Sequence, residues 1–140
     1  DYVKNLLAEK GCLTKRKPSE NETADIEFGW KIAKKIAGME IGQCIVVKDK
    51  IVLAVEAIDG TNETIKRGGE LGRGKVVVIK LSKKGQDPRF DVPTIGTETV
   101  DYLKEAGVST LAIEAKKTLI LDKEDTIKLA DRYKISIIAL

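Results

Sequence analysis

Apolar residues recur at helical spacing in four parts of the chain, and each part has residues at its ends that start or stop a helix. The spacing predicts a helix that begins at Asp25 as its N-cap and is closed by Gly38. Three further helices are predicted over residues 61–71, 97–106 and 123–133, and Gly107 closes the one that ends at residue 106.

Runs of β-branched and apolar residues lie between these helices and predict strands. Two such runs, residues 41–47 and 51–55, are separated by a short polar break, which is typical of a hairpin. Further strands are predicted over residues 75–81, 111–114, 118–121 and 135–140. The order of elements favours an α/β fold, in which a mixed sheet flanked by helices forms a single compact domain.

The first residues of the chain differ in pattern from the rest. Residues 1–11 suggest the end of a helix that arrives from a preceding domain, and the polar stretch 15–23, with Pro18, is typical of a linker. We therefore interpret residues 1–22 as a helix fragment and linker. Residues 23–140 then form the compact domain.

The composition excludes several classes of chemistry. Histidine is absent, which removes His-dependent triads and nearly every catalytic zinc arrangement. The net charge of +3 comes from many charges of both signs, so the composition does not indicate a nucleic-acid binder. Cys12 and Cys44 are far apart in sequence, and we expect them to be structural residues in a reducing cytoplasm. No apolar run reaches the roughly 18 residues of a membrane span.

The charged stretch 82–96 is the first candidate for chemistry, because it follows a predicted strand and is long for a loop in a compact domain. Lys80, Lys83 and Arg89 suit the oxygens of a phosphate, and Arg89 can bind two of them at once. Asp91 suits a hard divalent cation or can orient an attacking water. The alternative is a solvated charged loop without a ligand.

A second candidate lies where the strand over residues 51–55 gives way to a helix. Glu56 and Asp59 could bind a metal, and the backbone N–H groups of a helix that starts at Thr61 could bind an anion. In the alternative, Thr61 or Asp59 is a simple N-cap and Gly60 a turn residue. Glu114 also ends an apolar run, where it is either part of a site or a strand-end charge.

Several short segments occur in an order and spacing known from one family. They are residues 25–30 (DIEFGW), 41–44 (IGQC), 55–61 (VEAIDGT), 86–87 (QD, after Lys83), 89–93 (RFDVP), 95–96 (IG) and 114–115 (EA). On these segments, the chain from about Asp25 to Leu140 resembles the C-terminal domain of the metal-dependent UDP-2,3-diacylglucosamine pyrophosphatases of lipid A biosynthesis, the LpxI type.

The resemblance implies a hydrolase that cleaves the lipid-linked UDP-sugar UDP-2,3-diacylglucosamine to UMP and 2,3-diacylglucosamine 1-phosphate, known as lipid X. It implies a requirement for Mg²⁺ or another divalent cation, a homodimer, and a substrate site shared with an N-terminal domain missing from this chain. We expect such an enzyme to be cytoplasmic, with transient contact to the surface of the inner membrane, and to bind no nucleic acid. The alternative function is a non-catalytic phosphate-ligand-binding or dimerisation module.

The resemblance also assigns roles to residues. Asp91 matches an essential aspartate of the family and is the expected catalytic residue, while Lys84 and Asn62 depart from the residues common in the family. The expected metal ligands are Asp91, Glu56 and Asp59. The expected phosphate-binding residues are Lys80, Lys83, Gln86, Arg89 and Thr61.

Overall fold

The computed structural model describes residues 7–83 and 92–140. Within these residues, helices cover both faces of one six-stranded mixed sheet, which confirms the predicted α/β class. The helices are α1 (Glu20–Gly38), α2 (Thr61–Gly72), α3 (Thr97–Ala106) and α4 (Lys123–Tyr133). The strands are β1 (Gly11–Cys12), β2 (Cys44–Lys48), β3 (Ile51–Val55), β4 (Val76–Lys80), β5 (Thr94–Ile95), β6 (Val108–Ile113), β7 (Leu119–Ile120) and β8 (Ser136–Ala139).

The central sheet has the strand order β1-β8-β6-β4-β2-β3. Strands β4, β6 and β8 are parallel to one another, whereas β2 is antiparallel to both of its neighbours and β1 is antiparallel to β8. Strands β5 and β7 form a small separate parallel pair. Because β3 and β4 both run opposite to β2, the ends of β3, β4, β6 and β8 meet at the same edge, which we call the carboxyl edge.

The core is divided between the two faces of the sheet. Helix α1 packs on one face, where Ile26, Ala33 and Ala37 are buried against residues of β2 and β4. The other three described helices pack on the opposite face. Since both faces are covered, the consecutive β4 residues Val76 to Ile79 are all buried, which is why residues 76–79 are a continuous apolar run rather than an alternating one.

Helix α1 begins earlier than the sequence pattern predicted, so the assignment of Asp25 as its N-cap was wrong. Ser19 is the N-cap: its hydroxyl accepts a hydrogen bond from the Glu22 amide at 3.1 Å, and the Glu22 carboxylate accepts one from the Ser19 amide at 2.8 Å. This reciprocal capping box satisfies two backbone donors at once. Asp25 lies inside the helix and is 5% exposed.

The N-terminal segment packs against the sheet. Leu7 forms a β-bridge with Leu119, and β1 pairs with the outer edge of β8. The helix predicted over residues 1–11 was therefore wrong for its described part, 7–11. The predicted linker, residues 15–23, contains the start of α1, and Arg16 donates hydrogen bonds to the Ser109 carbonyl and the Ser136 hydroxyl. The backbone of β1 is extended because it pairs with β8, and this pairing outweighs the helical pattern of the local sequence.

The remaining elements follow the predictions, except that β2 begins three residues later and β6 three residues earlier than predicted. The hairpin forms from β2 and β3, and the other three predicted helices have the expected bounds to within one residue. Strand β5 was not predicted, because its two residues lie within the stretch 82–96 and gain their hydrogen bonds from β7. Among the described residues, no helix is both long and apolar enough to cross a bilayer.

Candidate functional site at the carboxyl edge

Polar residues from distant parts of the chain meet at the carboxyl edge. Glu56 follows β3, Ser82 lies just beyond β4, Glu114 follows β6, and Gln43 precedes β2. In open α/β sheets, ligands bind outside the carboxyl ends of the strands. This edge is therefore the candidate site on the fold, and its charged side chains decide what chemistry it can support.

Glu56 and Thr61, which the sequence predicted as site residues, are in direct contact. The Glu56 side chain accepts one hydrogen bond from the Gln43 amide at 2.9 Å and another from the Thr61 hydroxyl at 3.0 Å. Glu56 is only 8% exposed. These two bonds satisfy a buried carboxylate and fix the first residue of α2 against the start of β2.

Asp59 is more exposed than Glu56 and already has partners. Its carboxylate accepts hydrogen bonds from the Arg67 guanidinium at 2.7 Å and from the Ala57 amide at 3.1 Å. These bonds, above all the one from Arg67, hold the pKa of Asp59 below its ordinary value. A metal bound to Asp59 would have to compete with these contacts. The predicted role of Asp59 as a metal ligand stays a prediction.

The start of helix α2 is open to an anion. Gly60 is the N-cap, with φ of 87°, and no side chain caps this helix end. The alternative in which Thr61 or Asp59 is the N-cap is therefore wrong. The first turn of α2 presents backbone N–H groups beside the Thr61 hydroxyl, and such helix starts attract phosphate groups.

The structure describes two of the three predicted cationic residues, Lys80 and Lys83. Lys80 is the last residue of β4 and lies opposite Cys44 in the register of β2 and β4. Lys83 is exposed, two residues beyond Leu81. Gln86, Arg89 and Asp91 lie outside the described residues, so their predicted roles stay predictions.

Cys44 is fully enclosed in the core behind this edge. Burial, together with the nearby negative charge of Glu56, raises the pKa of the Cys44 thiol to about 12. The thiol is therefore neutral and unreactive at ordinary pH. This environment is that of a core residue, as the sequence predicted.

Glu114, which the sequence left as either part of a site or a strand-end charge, is the centre of a second cluster. Its side chain accepts hydrogen bonds from the Lys34 ammonium at 2.8 Å and the Ser82 amide at 2.6 Å, and the Lys117 ammonium lies 3.7 Å away. Burial raises the pKa of Glu114, but the Lys34 and Ser82 hydrogen bonds outweigh it and lower the pKa overall. The signals in the sequence were its place after an apolar strand and the family segment 114–115.

Gln43 joins the two halves of the carboxyl edge. Its side-chain amide donates to the Leu81 carbonyl at 3.1 Å, and its backbone carbonyl accepts from the Leu81 amide at 2.8 Å. Together with its bond to Glu56, this makes a continuous chain of contacts from β3 to the end of β4. Gly42 makes the approach possible, because a Cβ there would lie 2.0 Å from the Glu56 carbonyl oxygen.

The described residues do not by themselves form a metal centre: residues 7–83 and 92–140 contain no group of three or more Asp, Glu or Cys side chains that could hold an ion. Mg²⁺ is usually held by one or two carboxylates together with substrate phosphates and water. Glu56 fits such a sparse ligand set, because each of its oxygens has a further lone pair. The other two expected ligands are Asp59, which Arg67 already engages, and Asp91, which lies outside the described residues.

The chain matches the family described as the LpxI C-terminal domain over residues 9–138. It belongs to this family. The family match confirms the resemblance that the sequence motifs indicated. The chain is also 34% identical, over 139 residues, to the UDP-2,3-diacylglucosamine pyrophosphatase LpxI of Caulobacter vibrioides. That alignment covers 94% of this chain and 50% of the relative, so the chain spans half the length of this LpxI protein.

A second group of relatives carries a different name. The bifunctional purine biosynthesis protein PurH of Bacillus subtilis is 31% identical over 136 residues, which are 94% of this chain and 23% of PurH. The PurH protein of Bacillus thuringiensis is 30% identical over 131 residues, covering 89% of this chain and 22% of PurH. The sequence of an LpxI C-terminal domain is thus similar to part of a protein named for another pathway.

Proposed function

We propose that this chain is the C-terminal domain of a hydrolase that cleaves the diphosphate of UDP-2,3-diacylglucosamine to UMP and 2,3-diacylglucosamine 1-phosphate in lipid A biosynthesis. The observation that carries the proposal is the family match over residues 9–138, together with 34% identity to a pyrophosphatase of that name. The PurH relatives are less similar, and the chain corresponds to a smaller share of them. Their similarity supports a domain that this chain and PurH have in common, and it gives little support to a common reaction.

The reaction requires groups that neutralise a diphosphate and groups that activate water. Lys80, Lys83 and Arg89 are suited to the phosphate oxygens, with Gln86 as a neutral hydrogen-bond donor beside them. Asp91 would orient the attacking water or hold a metal, and is the proposed catalytic residue. A bound Mg²⁺ would neutralise developing charge on the phosphates, with Asp91, Glu56 and Asp59 as its proposed protein ligands.

Glu56 also has a role that needs no metal. By accepting hydrogen bonds from the Gln43 amide and the Thr61 hydroxyl, it fixes the open start of α2 at the carboxyl edge. A phosphate oxygen bound by the first-turn N–H groups would then meet donors that are already in place. Preorganised donors of this kind are usually the largest electrostatic contribution to catalysis.

The rest of the protein completes the proposed enzyme. We propose that an N-terminal domain covers the carboxyl edge, that the working unit is a homodimer, and that the enzyme is cytoplasmic and touches the inner membrane surface to collect its lipid-linked substrate. Since positioning and water exclusion contribute several orders of magnitude to such reactions, the chain alone should give little or no hydrolysis.

The test is an assay of UMP release from UDP-2,3-diacylglucosamine by the longer protein that contains this chain. We expect turnover with Mg²⁺, loss of turnover with excess EDTA, and recovery when Mg²⁺ is restored. The 140-residue chain assayed in parallel should be at least about a hundredfold slower. Absence of UMP release by the longer protein under all of these conditions would contradict the proposal.

The second candidate is a non-catalytic module that binds a phosphorylated ligand or mediates dimerisation. It is favoured by one observation, that the carboxylate of Asp59, a proposed metal ligand, is already engaged by Arg67. Equilibrium titration of the longer protein with UMP and with lipid X separates the two candidates. Binding of either ligand without any turnover of the UDP-sugar would favour the module.

A further inference from the structure

Two lysines from separate elements approach the same carboxylate oxygen at the carboxyl edge. The Lys34 ammonium, from α1, lies 2.8 Å from Oε2 of Glu114, and the Lys117 ammonium lies 3.7 Å from the same atom. The two ammonium groups are therefore neighbours, although 83 positions separate the residues in sequence. Glu114 holds together two like charges that would otherwise repel each other.

The cluster has a surplus of positive charge. One carboxylate faces two ammonium groups, and its other oxygen, Oε1, is engaged by the Ser82 amide. The Glu114 side chain is 7% exposed, whereas those of Lys34 and Lys117 are 49% and 62% exposed. The negative charge is thus buried, and the two positive charges face solvent, where an anion can reach them.

Lys34 is also restrained from its other side. Its ammonium lies 5.7 Å from the centre of the Trp30 ring, one turn earlier on α1, within the range of a cation–π interaction. A lysine held by both a carboxylate and an aromatic ring has lost much of its rotamer freedom before a ligand arrives. Binding an anion there therefore costs less conformational entropy than binding it to a free surface lysine.

Ser82 supplies an independent sign that a ligand is expected. Its hydroxyl oxygen is buried and has no hydrogen-bond partner among the described residues. Buried hydroxyls in native proteins nearly always have a partner, so an unpaired one calls for an explanation. The backbone amide of the same residue donates to Oε1 of Glu114, so the unpaired hydroxyl is carried by a residue that is bonded to the cluster.

We propose that Lys34, Lys117 and Ser82 form a binding site for a phosphoryl group, with Glu114 as the residue that positions both lysines. The site is distinct from the phosphate-binding residues expected from the motifs, which include none of these four. The idea that this site holds one of the two phosphoryl groups of the cleaved diphosphate rests on the proposed function. The idea that the site binds phosphate rests only on the cluster itself.

The experiment is a titration of the 140-residue chain with inorganic phosphate at low ionic strength, followed by isothermal calorimetry and by NMR of the lysine side chains. We expect Lys34→Gln and Lys117→Gln each to weaken phosphate binding about tenfold, which corresponds to the loss of one charge-assisted contact. Lys31→Gln, the same change at an exposed position of α1, should alter binding less than about twofold.

Two phosphomonoesters then distinguish the ligand source. Glucosamine 1-phosphate and UMP carry the same phosphoryl group on the two halves of the proposed substrate, and the half that belongs at this site should bind more tightly than inorganic phosphate. Ser82→Ala should weaken the tighter of the two about threefold, because one hydrogen bond to a charged group is lost.

The proposal fails if wild-type chain binds none of the three phosphates, or if Lys34→Gln and Lys117→Gln bind them as wild type does. Circular dichroism checks that each variant is folded, and Lys117→Gln, at the more exposed lysine, keeps the test valid if Lys34→Gln unfolds. Turnover is measured separately in the longer protein. Normal UMP release with unchanged phosphate binding in the variants would overturn this site alone, whereas phosphate binding without any UMP release would overturn the proposed function alone.

Discussion

The carboxylate of Asp25 lies 2.8 Å from the backbone nitrogen of Lys50, so a side chain inside helix α1 caps the turn between β2 and β3. A second bond joins the other carboxylate oxygen to the Asp49 amide at 3.1 Å. Both turn residues have positive φ, 52° at Asp49 and 58° at Lys50, a conformation that non-glycine residues adopt at a cost. The bonds to Asp25 help to hold the hairpin in this turn.

Replacing Asp25 should destabilise the fold. Asp25→Ala removes two charge-assisted hydrogen bonds from a site that is 5% exposed, and we expect a loss of about 2–3 kcal/mol in the free energy of unfolding. Chemical denaturation with urea measures this. Glu27→Ala, on the exposed side of the same helix, is the control and should change stability by less than about 0.5 kcal/mol. Equal effects of the two substitutions would show that the turn does not depend on Asp25.

The Glu22 carboxylate makes stability depend on acid pH. Burial raises its pKa, but hydrogen bonds from the Ser109 hydroxyl, the Ser19 amide and Arg16 outweigh this and lower the pKa from 4.5 to about 2. Since the folded-state pKa is depressed, the contribution of Glu22 is complete above pH 4.5 and is lost as the pH falls towards 2. The Arg16 side chain is 35% exposed, so solvent screens its ion pair with Glu22. We therefore expect Glu22 to contribute about 2 kcal/mol to the free energy of unfolding at neutral pH.

The measurement compares wild type with Glu22→Gln by urea denaturation at several pH values from 7 to 2. Wild type should be more stable at pH 7, and the difference between the two proteins should shrink as the pH falls below 4.5. A difference that stays constant from pH 7 to 2 would mean that Glu22 does not titrate with a depressed pKa.

The start of α1 shows which features the sequence alone could predict and which it could not. Ser19 and Glu22 have the spacing of a capping box, so the true helix start was present in the sequence as a local signal. The apolar pattern favours Asp25 instead, because Asp25 directly precedes the apolar run. Its actual partners, the turn amides of Asp49 and Lys50, are distant in sequence, and no local pattern predicts such a contact.

Close packing of α2 against α3 restricts one glycine. A Cβ at Gly69 would lie 2.1 Å from the Ala106 carbonyl oxygen, so the two backbones would have to separate. We expect Gly69→Ala to destabilise the protein by at least about 2 kcal/mol. Gly38→Ala is the matched control, because nothing lies within 4 Å of a Cβ there, and it should stabilise α1 by about 0.5 kcal/mol. Thermal unfolding of both variants tests this, and a stabilising Gly69→Ala would contradict the packing described.

The contacts of the candidate site were predictable only where the residues are close together in the sequence. Glu56 and Thr61 are five positions apart, and their contact follows from a strand that turns directly into a helix. The pair formed by Lys34 and Glu114 spans 80 positions and exists because β6 lies between β4 and β8, with α1 across one face. Strand order is set by the whole fold, so such pairs are visible only in three dimensions.

The most direct test of the proposed chemistry is the effect of Asp91→Ala on turnover and on equilibrium binding of the longer protein at saturating Mg²⁺. In the proposed mechanism Lys80, Lys83 and Arg89 attract the diphosphate, so removal of one carboxylate should leave the affinity for UDP-2,3-diacylglucosamine largely intact. It should lower kcat at least about a thousandfold, because a group that orients water or holds the metal matters most in the transition state. Arg89→Ala, measured in parallel on folded protein, should weaken binding as well. Near-normal kcat in Asp91→Ala would contradict the account.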